Sequence, residues 1–203
     1  MLLGRPAAEY VGLRNGTLRN GSGLALTQPA GRGNRLGTQI SLPEGAGTAI
    51  DLLVSFRLPT TMNHTVVFTV QVLAEPLGTS ASPPPPSGMG TPGIAVSVSP
   101  PSPNGTRTAL VSRIADTGAT GVNAGTGSTG PEPCFPILAT ETTLDVRVLV
   151  DRSIAEFFVQ GGRVAMTQRG YPRQGDAAVI LSASFAGAVV DRFAVYDMGC
   201  GWE

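Results

Sequence analysis

Apolar and polar residues alternate along much of the chain with a period of two, the pattern of β-strands that bury one face. The alternation is clearest over residues 143–168, where three short runs are separated by Arg152-Ser153 and by residues 160–162. The consecutive glycines Gly161 and Gly162 supply the positive φ angles that a tight hairpin needs. The sequence therefore predicts a β-meander of three consecutive antiparallel strands in this part of the chain.

Shorter runs of the same kind occur on both sides of the meander. They cover residues 24–28, 38–42, 49–58, 64–73, 93–99, 106–113, 177–184 and 189–196. No apolar stripe with helical spacing persists for three turns without a Gly or a Pro. About eleven strands with no helix between them predict an all-β protein, built as an antiparallel two-sheet β-sandwich of the lectin-like, jelly-roll type.

Two low-complexity segments interrupt the strand pattern. Residues 78–92 include four consecutive prolines, which favour an extended conformation and cannot join the interior of a sheet. Residues 115–133 are rich in Gly, Thr and Ala, a composition typical of mobile chain. Both segments stand between strands, so we expect two long flexible loops within one domain. Residues 1–22 are expected to lead into the sandwich, and residues 23–203 to form it.

Composition narrows the possible functions. Charged residues make up only 14% of the chain and the formal net charge is zero, so there is no basic field to bind nucleic acid or an anionic membrane. No run approaches the roughly 18 apolar residues that a membrane span requires. One histidine, His64, and two distant cysteines make no metal-ligand set, and we expect neither a metal nor another cofactor.

Asparagine is concentrated in glycosylation acceptor sequences. Four of the six asparagines stand in Asn-x-Ser/Thr, namely Asn15, Asn20, Asn63 and Asn104. Three of these are also Asn-Gly, a common turn dipeptide, but the excess favours exposure in the secretory pathway. In that compartment Cys134 and Cys200 could form one disulfide. The alternative is two free thiols that behave as small apolar residues.

The meander resembles a known family. Residues 150–153, Val-Asp-Arg-Ser, followed by Glu156 and Phe158, then by Gly162-Arg163 and residues 169–172, are similar to the signature of the C-terminal β-sandwich of glycoside hydrolase family 32. This family contains the invertases and the β-fructosidases that cleave fructans. The resemblance implies a structural signature of Asp151, Ser153, Glu156, Phe158, Gly161, Gly162, Arg163, Arg169 and Tyr171.

The resemblance extends towards both ends of the chain. Pro6, Glu9, Leu13 and Arg14 are similar to the segment that leads from the catalytic domain of the family into the sandwich. Tyr196-x-Met198 stands where the closing strand of the family usually carries Trp-x-Met.

The catalytic motifs of the resembled family do not occur in the chain. Its catalytic carboxylates lie in an N-terminal propeller, in the motifs Asn-Asp-Pro-Asn, Arg-Asp-Pro and Glu-Cys. Here Pro133 separates Glu132 from Cys134, and no Asp is followed by Pro. Glycosidases need two carboxylates that flank the scissile bond. The resemblance therefore implies a non-catalytic accessory domain, inactive alone, of a secreted, cell-wall or vacuolar enzyme of carbohydrate metabolism whose propeller hydrolyses sucrose or fructans.

The residues alone leave other functions open. A stand-alone lectin-like domain could bind sugar without cleaving it, and a structural or adhesive glycoprotein domain is a further alternative. The accessory domain is expected to pack against the missing propeller through an exposed apolar patch on one sheet, and it could also contact carbohydrate.

Three polar residues of the meander receive structural roles from their positions. Asp151 and Ser153 flank a turn, where short polar side chains commonly bond nearby backbone amides. Glu156 shares a strand face with apolar residues, so its carboxylate is expected to be held by backbone amides, by Arg163 or Arg169, or by a group on the propeller.

Overall fold

The computed structural model of the chain describes residues 9–29, 36–43, 46, 48–74, 91–114, 132–170 and 178–199. After a four-residue helical turn, α1 (Glu9–Gly12), the described residues form thirteen strands in two antiparallel sheets. The predicted all-β sandwich is confirmed. In the described part of the chain, no helix is long and apolar enough to cross a membrane.

The two sheets have different strand orders. The six-stranded sheet runs β1-β13-β4-β9-β10-β11, and the seven-stranded sheet runs β2-β3-β12-β5-β6-β7-β8. The strands of the first sheet are β1 (Arg14–Ala25), β4 (Ala49–Arg57), β9 (Thr143–Asp151), β10 (Ile154–Val159), β11 (Val164–Arg169) and β13 (Val189–Met198). Those of the second are β2 (Gln28–Pro29), β3 (Leu36–Ser41), β5 (Val66–Ala74), β6 (Gly93–Val98), β7 (Arg107–Arg113), β8 (Cys134–Ile137) and β12 (Ala178–Ala183).

The core lies between the sheets and explains the alternation in the sequence. In β4 the apolar residues Ile50, Leu52, Val54 and Phe56 are buried on one face, and β9 contributes a matching row. Phe56 and Phe68 meet across the two sheets with their ring centroids 5.1 Å apart. In β4 and β9, which bury one face against the second sheet, apolar residues therefore recur at every second position. Strands β5, β6 and β12 of the second sheet are buried on both faces.

The meander has the predicted form. Strands β9, β10 and β11 pair consecutively, with Asp151 opposite Ile154 across the first turn and Val159 opposite Val164 across the second. Gly161 and Gly162 have φ angles of +66° and +88°, which confirms the left-handed turn. This turn sets the register of β10 against β11.

Gly161→Val is expected to lower the free energy of unfolding by at least about 1 kcal/mol, because a β-branched residue is strained at positive φ. A Cβ atom at this position would meet nothing within 4 Å, so the loss would come from the backbone and not from a clash. Gly161→Asn is the matched control, since asparagine tolerates the left-handed region. Urea melts of both variants give the comparison, and equal midpoints for Val and Asn would contradict a strained turn.

Two strands lie where the sequence predicts none. The first, β1, includes residues 14–22, which the sequence assigns to the lead-in segment. This strand pairs only with β13 among the described residues, and it is mostly exposed. Because it buries little of its surface, its sequence shows no alternation of apolar and polar residues. The second, β8, is a short edge strand that pairs only with β7.

The two long loops connect neighbouring antiparallel strands, β5 with β6 and β7 with β8. Apart from residues 91, 92, 132 and 133, both lie outside the described residues.

Candidate functional site

A groove lies on the face of the six-stranded sheet that points away from the core. Its volume is about 580 Å³, and we call it the outer groove. The middle of β4, β9, β10 and β13 forms it, together with the β10–β11 turn. Its lining includes Leu53, Ser55, Asp145, Arg147, Phe158, Gly161, Gly162, Arg192, Ala194 and Tyr196. The strand residues among them alternate with core residues, which is why they share one face.

A carboxylate held by two guanidinium groups lies at one end of the outer groove. Asp51 on β4 is fully buried, and its Oδ1 accepts a hydrogen bond from Arg147 Nε at 2.8 Å. Its Oδ2 accepts from Arg147 Nη2 at 2.8 Å and from Arg14 Nε and Nη2 at 2.8 and 2.5 Å. The Arg14 guanidinium also lies 3.8 Å from the centre of the Tyr196 ring. We call this group the Arg14–Asp51–Arg147 triad. Both carboxylate oxygens of Asp51 accept hydrogen bonds within it.

A polar row crosses the other end of the outer groove. Arg192, Ser55 and Asp145 are cross-strand neighbours on β13, β4 and β9. Arg192 Nε donates to Ser55 Oγ at 3.1 Å, which orients the guanidinium. Asp145 Oδ1 is buried and has no hydrogen-bond partner among the described residues. The row thus presents a positively charged donor on one side and an unsatisfied acceptor on the other.

The structure brings some of the signature residues to the outer groove. Phe158, Gly161 and Gly162 line it, whereas Phe157 points into the core, as neighbouring residues of a strand must. Glu156 lies half-buried on the same outer face, and no partner for its carboxylate is found in the described part of the chain.

The remaining signature residues lie at the turns and the strand ends. In the ranges that the structure describes, neither the Asp151 nor the Ser153 side chain makes the predicted bond to a neighbouring amide. Arg169 is at the exposed end of β11, and Tyr171 lies outside the described residues.

Arg163, one of the partners expected for Glu156, binds a different carboxylate. Its Nη1 and Nη2 donate to Glu141 Oε2 and Oε1 at 2.8 and 2.7 Å. Glu141 Oε1 also accepts from Gln160 Nε2 at 3.1 Å, and Oε2 from the Leu138 backbone N–H at 2.7 Å. This cluster joins the β10–β11 turn to the segment before β9.

The hydrogen bonds to Glu141 lower its pKa. Burial by itself would raise the pKa of this carboxyl, but the hydrogen bonds from Arg163, from the Leu138 backbone and from Gln160, with the charge of Arg163, outweigh it. The ionised form is therefore the one that the folded chain stabilises.

The stability that Glu141 contributes is expected to be lost in acid. A carboxyl whose pKa is lowered by folding stabilises the protein above its unfolded pKa of about 4.3, and this contribution falls as the pH drops towards the folded value. The difference in free energy of unfolding between the wild type and Glu141→Gln should be constant from about pH 7 to 5 and shrink below about pH 4. Urea melts across this range test it. If the same pH dependence persists in an Arg163→Met background, the cluster is not its source.

The exposed apolar side chains do not form one continuous patch. Among the described residues, the large apolar side chains with the greatest exposure are Val11, Leu110, Leu138 and Ile154. They lie on α1, on β7, between β8 and β9, and on β10, so they are spread over both sheets. In the described part of the chain these four side chains do not make up the predicted docking patch. Apolar side chains, Leu53 and Phe158 among them, and polar groups lie side by side in the outer groove.

The other candidate residues are at the surface. Asn15, Asn20, Asn63 and Asn104 are all exposed. Cys134 is an exposed free thiol and its predicted partner Cys200 lies outside the described residues, so the structure gives no support to the disulfide. His64 is exposed, with Nδ1 2.6 Å from Asn63 Oδ1. In the described ranges no group of His, Cys, Asp and Glu could hold a metal ion.

Sequence reasoning missed the Arg14–Asp51–Arg147 triad. The available signal is that Asp51 and Arg147 are charged residues at outward positions of strands that are otherwise strongly apolar. Asp51 is separated from Arg14 by 37 residues and from Arg147 by 96, so their meeting depends on the strand order.

Comparison with known proteins assigns the chain to a family. The model described as glycosyl hydrolases family 32 C terminal matches residues 34–197. The chain belongs to this family. The match covers the outer groove, except for the contribution of Arg14 to the triad, and it extends the resemblance of the meander to most of the sandwich.

Two kinds of known protein are similar to the chain. The chain is 44% identical over 68 residues to sucrose:sucrose 1-fructosyltransferase of Festuca arundinacea, a match that covers 31% of this chain and 10% of that protein. Crystal structures of fructan 1-exohydrolase IIa from Cichorium intybus, with and without 1-kestose, match 96% of this chain with TM-scores of 0.63 and 0.62 and identities of 15% and 16%. At these identities the structures show the shared fold alone. The chain spans 37% of their length, well under half.

Proposed function

We propose that the chain is the non-catalytic accessory sandwich of a β-fructofuranosidase-like enzyme, in which a separate propeller domain hydrolyses sucrose or fructans. Membership of the family and the small share of each relative that the chain spans support this proposal. The main structural support for a non-catalytic role is that the Asp51 carboxylate, at one end of the outer groove, is fully buried and bound by two arginines.

Asp51 cannot serve as either member of a glycosidase pair. A nucleophile or an acid/base needs a carboxylate oxygen free to reach the sugar, and both oxygens of Asp51 already accept hydrogen bonds. Glu156, the other carboxylate in this row of the sheet, is separated from Asp51 by the intervening strand β9. Asp51 and Glu156 therefore do not form a pair of reacting groups.

The partner that this proposal implies is the propeller of the same protein. A domain that precedes the sandwich must join it at α1, beside the β1 edge of the six-stranded sheet. Val11 in α1 is 51% exposed, so a large apolar side chain is available at the junction. We place the contact with the propeller at this edge.

The chain alone is expected to release no fructose from sucrose, inulin or levan. The same chain joined to the coding sequence that precedes it should hydrolyse at least one of them, and Val11→Asp should lower the melting temperature of the joined protein more than that of the isolated sandwich. Fructose release by the purified chain, abolished by Glu156→Gln, would make the meander catalytic. A preceding sequence without a propeller would remove the accessory role.

We also propose that the protein enters the secretory pathway and is glycosylated. The exposure of all four acceptor asparagines supports this, because oligosaccharyl transfer needs an accessible side chain. Expression in a eukaryotic host should give a product whose mass falls on treatment with a glycan-removing amidase. Replacing Asn15, Asn20, Asn63 and Asn104 with Gln should abolish this shift, and an unshifted wild type would contradict glycosylation.

A further inference from the structure

We propose that the outer groove binds a short neutral oligosaccharide, with one sugar face on its apolar floor and hydroxyl groups held between Asp145 and Arg192. The volume of about 580 Å³ lies within the range of roughly 300–1,000 Å³ that is usual for small-ligand sites. That the oligosaccharide is a fructan fragment rests on the proposed function.

The acceptor side of the site is Asp145. Asp145 lines the groove, and none of the described residues donates a hydrogen bond to its side-chain carboxylate. Its Oδ1 is shielded from solvent, so a ligand reaches the carboxylate through the other oxygen, Oδ2. An ionised carboxylate can only accept hydrogen bonds, so the ligand must bring a donor, and a hydroxyl group is a neutral group that does so.

The donor side is Arg192. Its Nε is held by Ser55 Oγ, while its two Nη groups have no partner in the described part of the chain. Ser55 stands directly between Arg192 and Asp145 in the sheet, so the Cα atoms of the two charged residues are about two strand spacings, roughly 10 Å, apart. A sugar hydroxyl both donates and accepts, so one ring with neighbouring hydroxyl groups can satisfy both side chains.

The floor of the site is apolar. Leu53 lies next to the polar row, with Ala194 beside it on β13, and half-buried Phe158 faces the groove from β10. Between Leu53 and Phe158 stands Arg147, whose guanidinium is engaged by Asp51. A ligand here needs an apolar face as well as hydroxyl groups, and the C–H face of a sugar ring supplies one.

The charges of the site disfavour a cation, because Arg192 and the excess positive charge of the Arg14–Asp51–Arg147 triad outweigh the one carboxylate, Asp145. The Asp145 carboxylate also repels an anion that approaches the polar row, whereas a neutral hydroxyl group can bind both Asp145 and Arg192. The turn at Gly161 and Gly162 borders the groove and adds no side chain to it.

The test is a calorimetric titration of the folded chain with 1-kestose, with maltotriose and citrate as comparison ligands. Saturable binding of 1-kestose is expected. Asp145→Ala should raise the Kd at least tenfold, and Phe158→Ala should weaken binding as well. Thr167→Ala, an exposed change on the outer face of β11 beyond the lining, should leave the Kd unchanged within twofold.

Thermal melts separate a binding role of Asp145 from a structural one. Removing a buried acceptor that has no partner should leave the melting temperature unchanged or raise it. A lower melting temperature together with weaker binding would point to a structural role and overturn the proposal.

Other outcomes also count against the site. No saturable binding of 1-kestose, or binding that both Asp145→Ala and Phe158→Ala leave unchanged, would overturn it, as would tighter binding of citrate.

If the isolated chain binds 1-kestose and the chain joined to its propeller does not, the groove is a docking surface between domains and the proposal is overturned. Equal binding of maltotriose would retain the oligosaccharide site and remove the fructan assignment. None of these results depends on whether the chain hydrolyses sugar, so the two proposals can fail separately.

Discussion

Asp51→Ala is expected to lower the free energy of unfolding by about 3 kcal/mol, because it leaves two largely buried guanidinium groups without their carboxylate. Asp51 is 0% exposed, and the side chains of Arg14 and Arg147 are 19% and 18% exposed. Because the arginines are partly exposed, the expected loss of free energy of unfolding lies at the lower end of the range for removing one partner of a buried ion pair. A urea melt measures the change.

Asp191→Ala is the matched control for this prediction. Asp191 pairs with Arg57 on the same sheet, but the Arg57 side chain is 61% exposed, so solvent screens the pair and its removal should cost less than about 1 kcal/mol. If the two variants lose equal stability, burial does not increase the contribution of the Arg14–Asp51–Arg147 triad to the free energy of unfolding. Asp51→Asn should fall between the wild type and Asp51→Ala, since the amide oxygen keeps one acceptor.

Phe68→Ala is expected to lower the free energy of unfolding by about 4 kcal/mol, through the lost burial of a ring and the cavity that remains. Phe68 is fully buried, 5.1 Å from the Phe56 ring centroid and 5.7 Å from that of Phe185. It therefore joins two other rings at the centre of the sandwich.

Phe158→Ala removes a ring of the same size from the outer face, where it is only half-buried, and should cost clearly less. Phe68→Leu, which keeps most of the volume, provides a measurable variant if Phe68→Ala does not fold. Equal losses for Phe68→Ala and Phe158→Ala in urea melts would contradict the location of the core.

Local sequence predicts those parts of the fold whose partners are adjacent in the chain. The strands and turns of the meander follow from the alternation and from Gly161-Gly162, because each hairpin contains its own register information. Strand β1 could not be predicted in this way, since it is polar, exposed and paired with the other end of the chain. Its stability comes from β13 and not from its own composition.

The outer groove was less accessible to sequence reasoning than the fold. Phe158, Gly161 and Gly162 were found through the resemblance to the family, yet their meeting with Arg192 and Tyr196 requires the order β13-β4-β9-β10. The alternation predicts that Asp145 and Ser55 both point outward, but it does not predict that they are cross-strand neighbours. That row exists because of strand pairing between distant segments, which no local pattern encodes.

The position of β13 has a consequence for the synthesis of the protein. This strand lies between β1 and β4, although the ribosome makes it after all the other strands described. Until residues 189–198 emerge, β1 has no partner in its sheet and β4 has one unpaired edge. Unpaired edges are where nascent chains associate wrongly. The six-stranded sheet can close only once its last strand has left the ribosome.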